Sequence, residues 1–211
     1  MEKFFATLGK IGVFLVLVAA VIAGSFLLGK RSATFLAQKQ PPTPSPQLSI
    51  TPTPLPKKLV TAGLGNPPGI NFPRYTIEVP TSWTVTQEHS EEASPMDQLT
   101  VSRDGYRLKI FQAATGGSIC LYPGDAAVEG PSVAFANFVE ITTSEGLRLR
   151  RSGTTALSPE GNRGFTICHF SRFGSWEQPT PFGHISLQAP ADFSSEIIRE
   201  MDTMVTSLKK L

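Results

Sequence analysis

Ile11 to Gly29 reads IGVFLVLVAAVIAGSFLLG, nineteen residues without a charge. As a helix rising 1.5 Å per residue it would span about 28 Å, the depth of a bilayer's hydrocarbon core. A helix buried in a soluble domain keeps one polar face, whereas here only Ser25 and the glycines interrupt the apolar surface. The run therefore reads as a transmembrane segment. It continues through Phe26, Leu27 and Leu28 beyond the small-residue stretch Val21-Ile22-Ala23 and is closed by Lys30 and Arg31. That is the pattern of a retained signal anchor rather than a cleaved leader.

The next stretch fixes what the anchor is joined to. Gln40 to Lys58 reads QPPTPSPQLSITPTPLPKK, with prolines at Pro41, Pro42, Pro44, Pro46, Pro52, Pro54 and Pro56. Each removes a backbone donor and fixes φ, so an extended, solvated spacer is expected. In polyproline II form it would reach roughly 60 Å. The organisation expected is a cytoplasmic tail (1–10), a transmembrane signal anchor (11–29), a Pro/Thr-rich extended linker (30–70) and one extracytoplasmic domain (71–211). Lys3 and Lys10 before the run are balanced by Lys30, Arg31 and Lys39 after it, so basic flanks do not set the orientation. The spacer and the two cysteines, both inside the foldable part, favour an outside domain. The expected localisation is a single-pass protein of the cell membrane.

Charge location limits the partners. The chain is +2 overall, but residues 1–69 hold seven basic side chains and one acidic, and the remainder twelve basic and sixteen acidic. The basic character belongs to the appendage, and the domain lacks the field that nucleic-acid binding needs.

Within the foldable part, Tyr75, Ile77 and Val79 alternate with Thr76 and Glu78, as a half-buried strand requires, and Trp83 follows as a core anchor. Thr86 to Asp97 (TQEHSEEASPMD) shows no apolar period and reads as a solvated loop. LTVSR and YRLKIFQ flank Asp104-Gly105, a strong hairpin signal. SICLY (118–122), FVEIT (138–142), LRLRR (147–151), FTICHF (165–170) and HISLQ (184–188) are further strand candidates, and DAAVEGPSVAFAN is ambiguous, with room for a short helix. At the end the period changes: Phe193, Ile197, Met201, Met204, Val205 and Leu208 share a helical face. Asp192 is the expected N-cap, with Lys209 and Lys210 at the helix end. The fold class expected is α+β, an antiparallel sheet covered by helix.

YTIEVPTSW, GFTICHF, GHISLQAP and EIIREMDTMVTSLKKL, in that order, resemble PsbP-like domains, in which a tyrosine-bearing strand runs into P-x-x-W and the last helix closes on a pair such as Ser207-Leu208. The resemblance covers most of residues 72–211 and departs between Gly116 and Thr143. It implies an αβα-type sandwich and a non-catalytic accessory or assembly role near a membrane.

Cys120 and Cys168 both lie in apolar strand-like runs. If the strands are neighbours they form a disulfide, closing a loop worth roughly 4 kcal/mol in the chain-entropy model; otherwise they are two buried thiols. Cys168-His169 does not make a shared site, because adjacent strand residues point to opposite faces. A sortase-like cysteine transpeptidase or other envelope hydrolase is the catalytic alternative, with Cys168 as nucleophile beside Arg172, although His89 lies in a polar loop without that family's histidine motif. ICHF matches that family's T-L-x-T-C poorly. His89, among Glu88, Glu91 and Glu92, reads as a surface histidine inclined to protonate. Arg148 and Arg150 are expected on the solvent face of a strand; with Arg151 they form a candidate cationic patch for an anionic glycan, lipid headgroup or protein.

No Gly-rich phosphate loop, G-x-S-x-G, H-E-x-x-H, C-x-x-C or EF-hand pattern occurs. Neither a metal nor a cofactor is expected. The sequence thus points to a membrane-anchored binding or accessory domain whose partners are the bilayer, through residues 11–29, and an unidentified protein or envelope glycan.

Overall fold

The computed structural model describes residues 55–211, apart from 93, 127 and 128. The expected tail, anchor and most of the linker (1–54) lie outside the described residues. Among the described residues no helix is long and apolar enough to cross a membrane.

Two sheets share one core. The smaller has the order β1 (Lys57–Ala62), β2 (Tyr75–Pro80), β13 (Lys209–Lys210), all antiparallel. The larger has ten strands. One part of it runs β3 (Thr84–Ser90), β4 (Met96–Arg103), β5 (Tyr106–Ala113), β12 (His184–Ala189) and β10 (Arg163–Phe170). At β10 it divides. β12 holds Arg163 to Ile167 on one edge, and β11 (Trp176–Gln178) takes His169 and Phe170 further along, leading to β6 (Ser118–Leu121) and β7 (Ser132–Ala134). The other edge of β10 pairs with β9 (Arg148–Leu157), which carries β8 (Val139–Thr142).

The β4–β5 hairpin turns at Asp104 (φ 51°) and Gly105 (φ 82°), the two left-handed positions that an Asp-Gly turn supplies. Its alternation then places Leu99, Val101, Leu108 and Ile110 in the core, all fully buried. Tyr75, Ile77 and Val79 of β2 face them from the smaller sheet, with Trp83 beside them.

The expected α+β sandwich, a sheet covered by helix, is not what forms. Thirteen strands and one helix, α1 (Ser195–Thr206), make up the secondary structure of the described residues, and sheet packs on sheet. Helix α1 buries Ile198, Met201, Met204 and Val205 in the shared core beside β2 and β8. The αβα arrangement implied by the PsbP-like resemblance falls with it. The physical reason is that three strands carry little apolar alternation. Most side chains of β3 and all of those of β7 are exposed, and β1 follows directly on the proline segment. Backbone pairing, not apolar periodicity, defines them.

Local boundaries move accordingly. The strand β1 lies inside the span expected as linker (30–70), and β3 occupies much of the expected loop 86–97. The ambiguous DAAVEGPSVAFAN segment contributes β7, a strand parallel to β6. Ser194, not Asp192, caps α1: its Oγ accepts from the amide of Glu196, an acidic residue in the first turn. Lys209 and Lys210 leave the helix and pair with Thr76 and Tyr75.

The helix is held by two arginine–carboxylate forks. Arg103 donates to both Glu200 oxygens (3.2 and 2.7 Å), and Trp83 Nε1 donates to the same carboxylate at 2.8 Å. Arg151 donates to both Asp202 oxygens at 2.7 and 3.1 Å. Bidentate geometry with little solvent makes such pairs stronger than ordinary surface bridges.

Candidate functional site

Strand β10 separates two environments. Phe165 and Ile167 face the main core, and the same face continues to His169. Cys168, on the other face, joins a second apolar cluster with Cys120, Tyr122, Phe135 and Trp176. The opposite orientation of Cys168 and His169 follows from the pleat.

On the Cys168 face, β6, β7 and the chain that follows form a cap over β9, β10 and β11. Cys120 and Cys168 are joined by a disulfide, with Cα atoms 6.5 Å apart. Arg148 and Arg150 do share one face of β9, as expected, but Arg150 lies under the cap with a side chain only 15% exposed. Its guanidinium carbon is 3.7 Å from the centroid of Phe138, 4.1 Å from Trp176 and 4.6 Å from Tyr122, and Nη2 donates to Glu140 at 3.0 Å. Arg148 lies over Phe170 and 3.8 Å from Glu140. Arg151 points the other way, to Asp202. The three arginines are thus divided between two faces, and each meets a carboxylate. Ser152 extends the same order, donating to the Tyr122 hydroxyl, whose pKa burial raises.

On the His169 face the sandwich opens into a groove of about 760 Å³. Five segments wall it: the 66–73 loop between β1 and β2, Leu147 just before β9, the β10–β11 hairpin, the 179–181 loop leading to β12, and Lys210 on β13. Asn66 takes a left-handed φ of 59°, and its amide donates to Phe72 O, closing the 66–72 loop. The hairpin tip is tied by Ser171 and Ser175, which donate to Oε1 of Glu177, the former at 2.8 Å. These two hydroxyls, Ser175 first, hold the Glu177 carboxyl below its ordinary range. Its Oε2 has no partner among the described residues.

Phe173, at the tip, is 77% exposed, with the Arg172 guanidinium 4.8 Å from its ring centroid. Among the described residues neither Arg172 nor Lys210 forms a salt bridge through its side chain; the Lys210 main-chain amide donates to Glu145 Oε2. His169 Nδ1 is 3.0 Å from Glu177 O, and a carbonyl only accepts, so Nδ1 carries the proton and Nε2 is left as an acceptor. Burial lowers the His169 pKa and keeps the ring neutral. Among the described residues no hydrogen bond links it to Ser171, whose hydroxyl is turned to Glu177.

A smaller groove of about 390 Å³ lies between the β1 end and β3. There His89 sits between Glu91 Oε1 (3.2 Å) and the fully buried Asp97 (3.1 Å), which raise its pKa, Glu91 foremost. Asp97 also accepts from Gly63 N and Gln87 Nε2. The tendency of His89 to protonate agrees with the sequence reading, though the residue is on a strand and not in a loop.

The transpeptidase alternative loses its nucleophile, because Cys168 is disulfide-bonded and fully buried. His89 and Arg172 line different grooves. Among the described residues no three His, Cys, Asp or Glu side chains are grouped to hold a metal. Sequence reasoning missed Asn66, Asn71, Phe173 and Lys210. The one local signal was an aromatic inside the polar turn Ser171-Arg172-Phe173-Gly174-Ser175. No protein-family model, curated protein or solved structure matches this chain.

Proposed function

We propose that the chain is a membrane-anchored, extracytoplasmic binding domain that docks a partner in the groove beside the β10–β11 hairpin and performs no chemistry on it. Residues 11–29 anchor it in the bilayer, with the N-terminus inside and the domain outside. The observation that carries the docking reading is the pair of unpaired cations, Arg172 and Lys210, flanking an exposed phenylalanine in one groove. The arginines of the cap, by contrast, meet Glu140. An aromatic and an arginine displayed together are the residue types that dominate binding energy at interfaces. The buried disulfide supports the outside location, since such bonds persist in oxidising compartments.

Two experiments test this reading. A reporter active only in the cytoplasm, fused after Leu211, is expected to be silent, and a signal from it would overturn the orientation. Full-length protein bearing R172E and K210E is expected to leave the envelope fraction on mild detergent extraction, while the unaltered chain is retained. Equal retention of both would reject the groove as the docking surface.

A further inference from the structure

The groove's chemistry also names a ligand class, an inference that rests on the groove being the docking site. The geometry points to a carboxylate-bearing glycan, a uronic-acid type of sugar chain, as its occupant.

Three observations select it. First, among the described residues the groove offers little strand edge, because its one edge strand, β13, is two residues long. β11 is paired on both sides, by β10 and β6, and the outward amide of Lys210 is taken by the Glu145 carboxylate. An extended peptide that adds a strand needs such an edge, so a ligand here must be read by side chains. Second, the side chains present both donors and an acceptor. Arg172 and Lys210 are free to hold a carboxylate, while Glu177 Oε2 lacks a donor because both serines bond to Oε1. A uronate satisfies both needs from one ring: its carboxylate goes to the cations and its hydroxyls donate to Glu177. An acidic peptide side chain brings only acceptors and leaves Glu177 facing a like charge. Third, Phe173 and Phe72 both line the groove, Phe173 exposed, and aromatic surface of this kind packs against the apolar C–H side of a pyranose. Asn66 and Asn71 add amides on the facing wall. The groove's size lies within the roughly 300–1,000 Å³ typical of ligand clefts.

The test is calorimetric titration of the full-length chain in detergent micelles with three probes: hexagalacturonate, its methyl ester and hexaglutamate. The ester keeps every ring and ring hydroxyl but loses the charge; the peptide keeps the charge but loses the rings. Hexagalacturonate is expected to bind at least about tenfold more tightly than either, the order of magnitude for losing one charge-assisted contact. In R172Q/K210Q that preference over the ester should fall below about threefold. Both residues are exposed, and an unchanged near-ultraviolet circular dichroism spectrum checks the fold. Absence of hexagalacturonate binding, affinity for the ester or the peptide within tenfold of it, or an unaltered preference in R172Q/K210Q would each overturn the glycan assignment. Where titration rejects the glycan, release of R172E/K210E from the envelope fraction leaves the groove standing as the docking site, and retention rejects both.

Discussion

The two faces of β10 hold similar materials put to different ends. On the Cys168 face, arginines meet aromatic rings and carboxylates beneath a cap stapled by a disulfide; on the His169 face, Arg172 lies over Phe173, and both it and Lys210 are exposed. Arg150 is 15% exposed in its side chain and surrounded, whereas Arg172 stands beside a phenylalanine that is 77% exposed. The difference teaches that cationic side chains are not informative by type or by clustering. Arg150 is held by three rings and a carboxylate, whereas Arg172, proposed to bind, meets Phe173 and forms no salt bridge among the described residues.

That comparison can be broken at several points. The largest effect is expected from C120A/C168A, which releases the cap: urea unfolding should show a loss approaching about 4 kcal/mol, the chain-entropy value for this loop. A loss under about 1 kcal/mol would mean that the cap is not held by its staple. Next, R150M keeps the aliphatic stem but removes the guanidinium from three rings, and about 1–2 kcal/mol should be lost. Glu140 is half exposed, so its ion pair adds little to that figure. The groove counterpart, R172Q/K210Q, should change stability by less than about 0.5 kcal/mol, because neither side chain is paired. A loss equal to that of R150M would erase the distinction between the faces.

The smallest effect concerns the histidines. Proton resonances of the imidazoles should show His89 titrating above the ordinary value of 6.5 and His169 below it. The signs oppose in stability. His89, raised by Glu91 and Asp97, stabilises the fold below pH 6.5 and loses that contribution as pH rises through its folded pKa. His169, lowered by burial, contributes above pH 6.5 and loses that as pH falls through its folded pKa. Substituting His89 with glutamine should therefore weaken the protein on the acid side only. Titration of His169 above His89 would contradict both environments.

Much of the fold could be read from residues whose pattern is local. The Asp104-Gly105 hairpin, the alternation of Tyr75, Ile77 and Val79, and the split of Cys168 from His169 follow from backbone geometry, and the structure has each. Of the two outcomes expected for Cys120 and Cys168, a disulfide or two buried thiols, the disulfide is present. What stayed hidden depends on what lies across space. β3 presents mostly exposed side chains and so carries no burial signal. Arg150 shows the same i, i+2 relation to Arg148 whether or not a cap lies over it. The groove draws on five segments between Asn66 and Lys210, and none of them states its neighbours. The helical period of 193–208 was real, but a single helix beside two sheets does not make an α+β layer.

The most direct test of the account places a photoreactive residue at Phe173 in one chain and at Phe138, the exposed aromatic of the cap, in another, with each full-length protein irradiated in its native membrane. The account predicts a discrete cross-linked adduct from position 173 and none from position 138. An adduct from 138 alone, or adducts of equal yield from both, would contradict it.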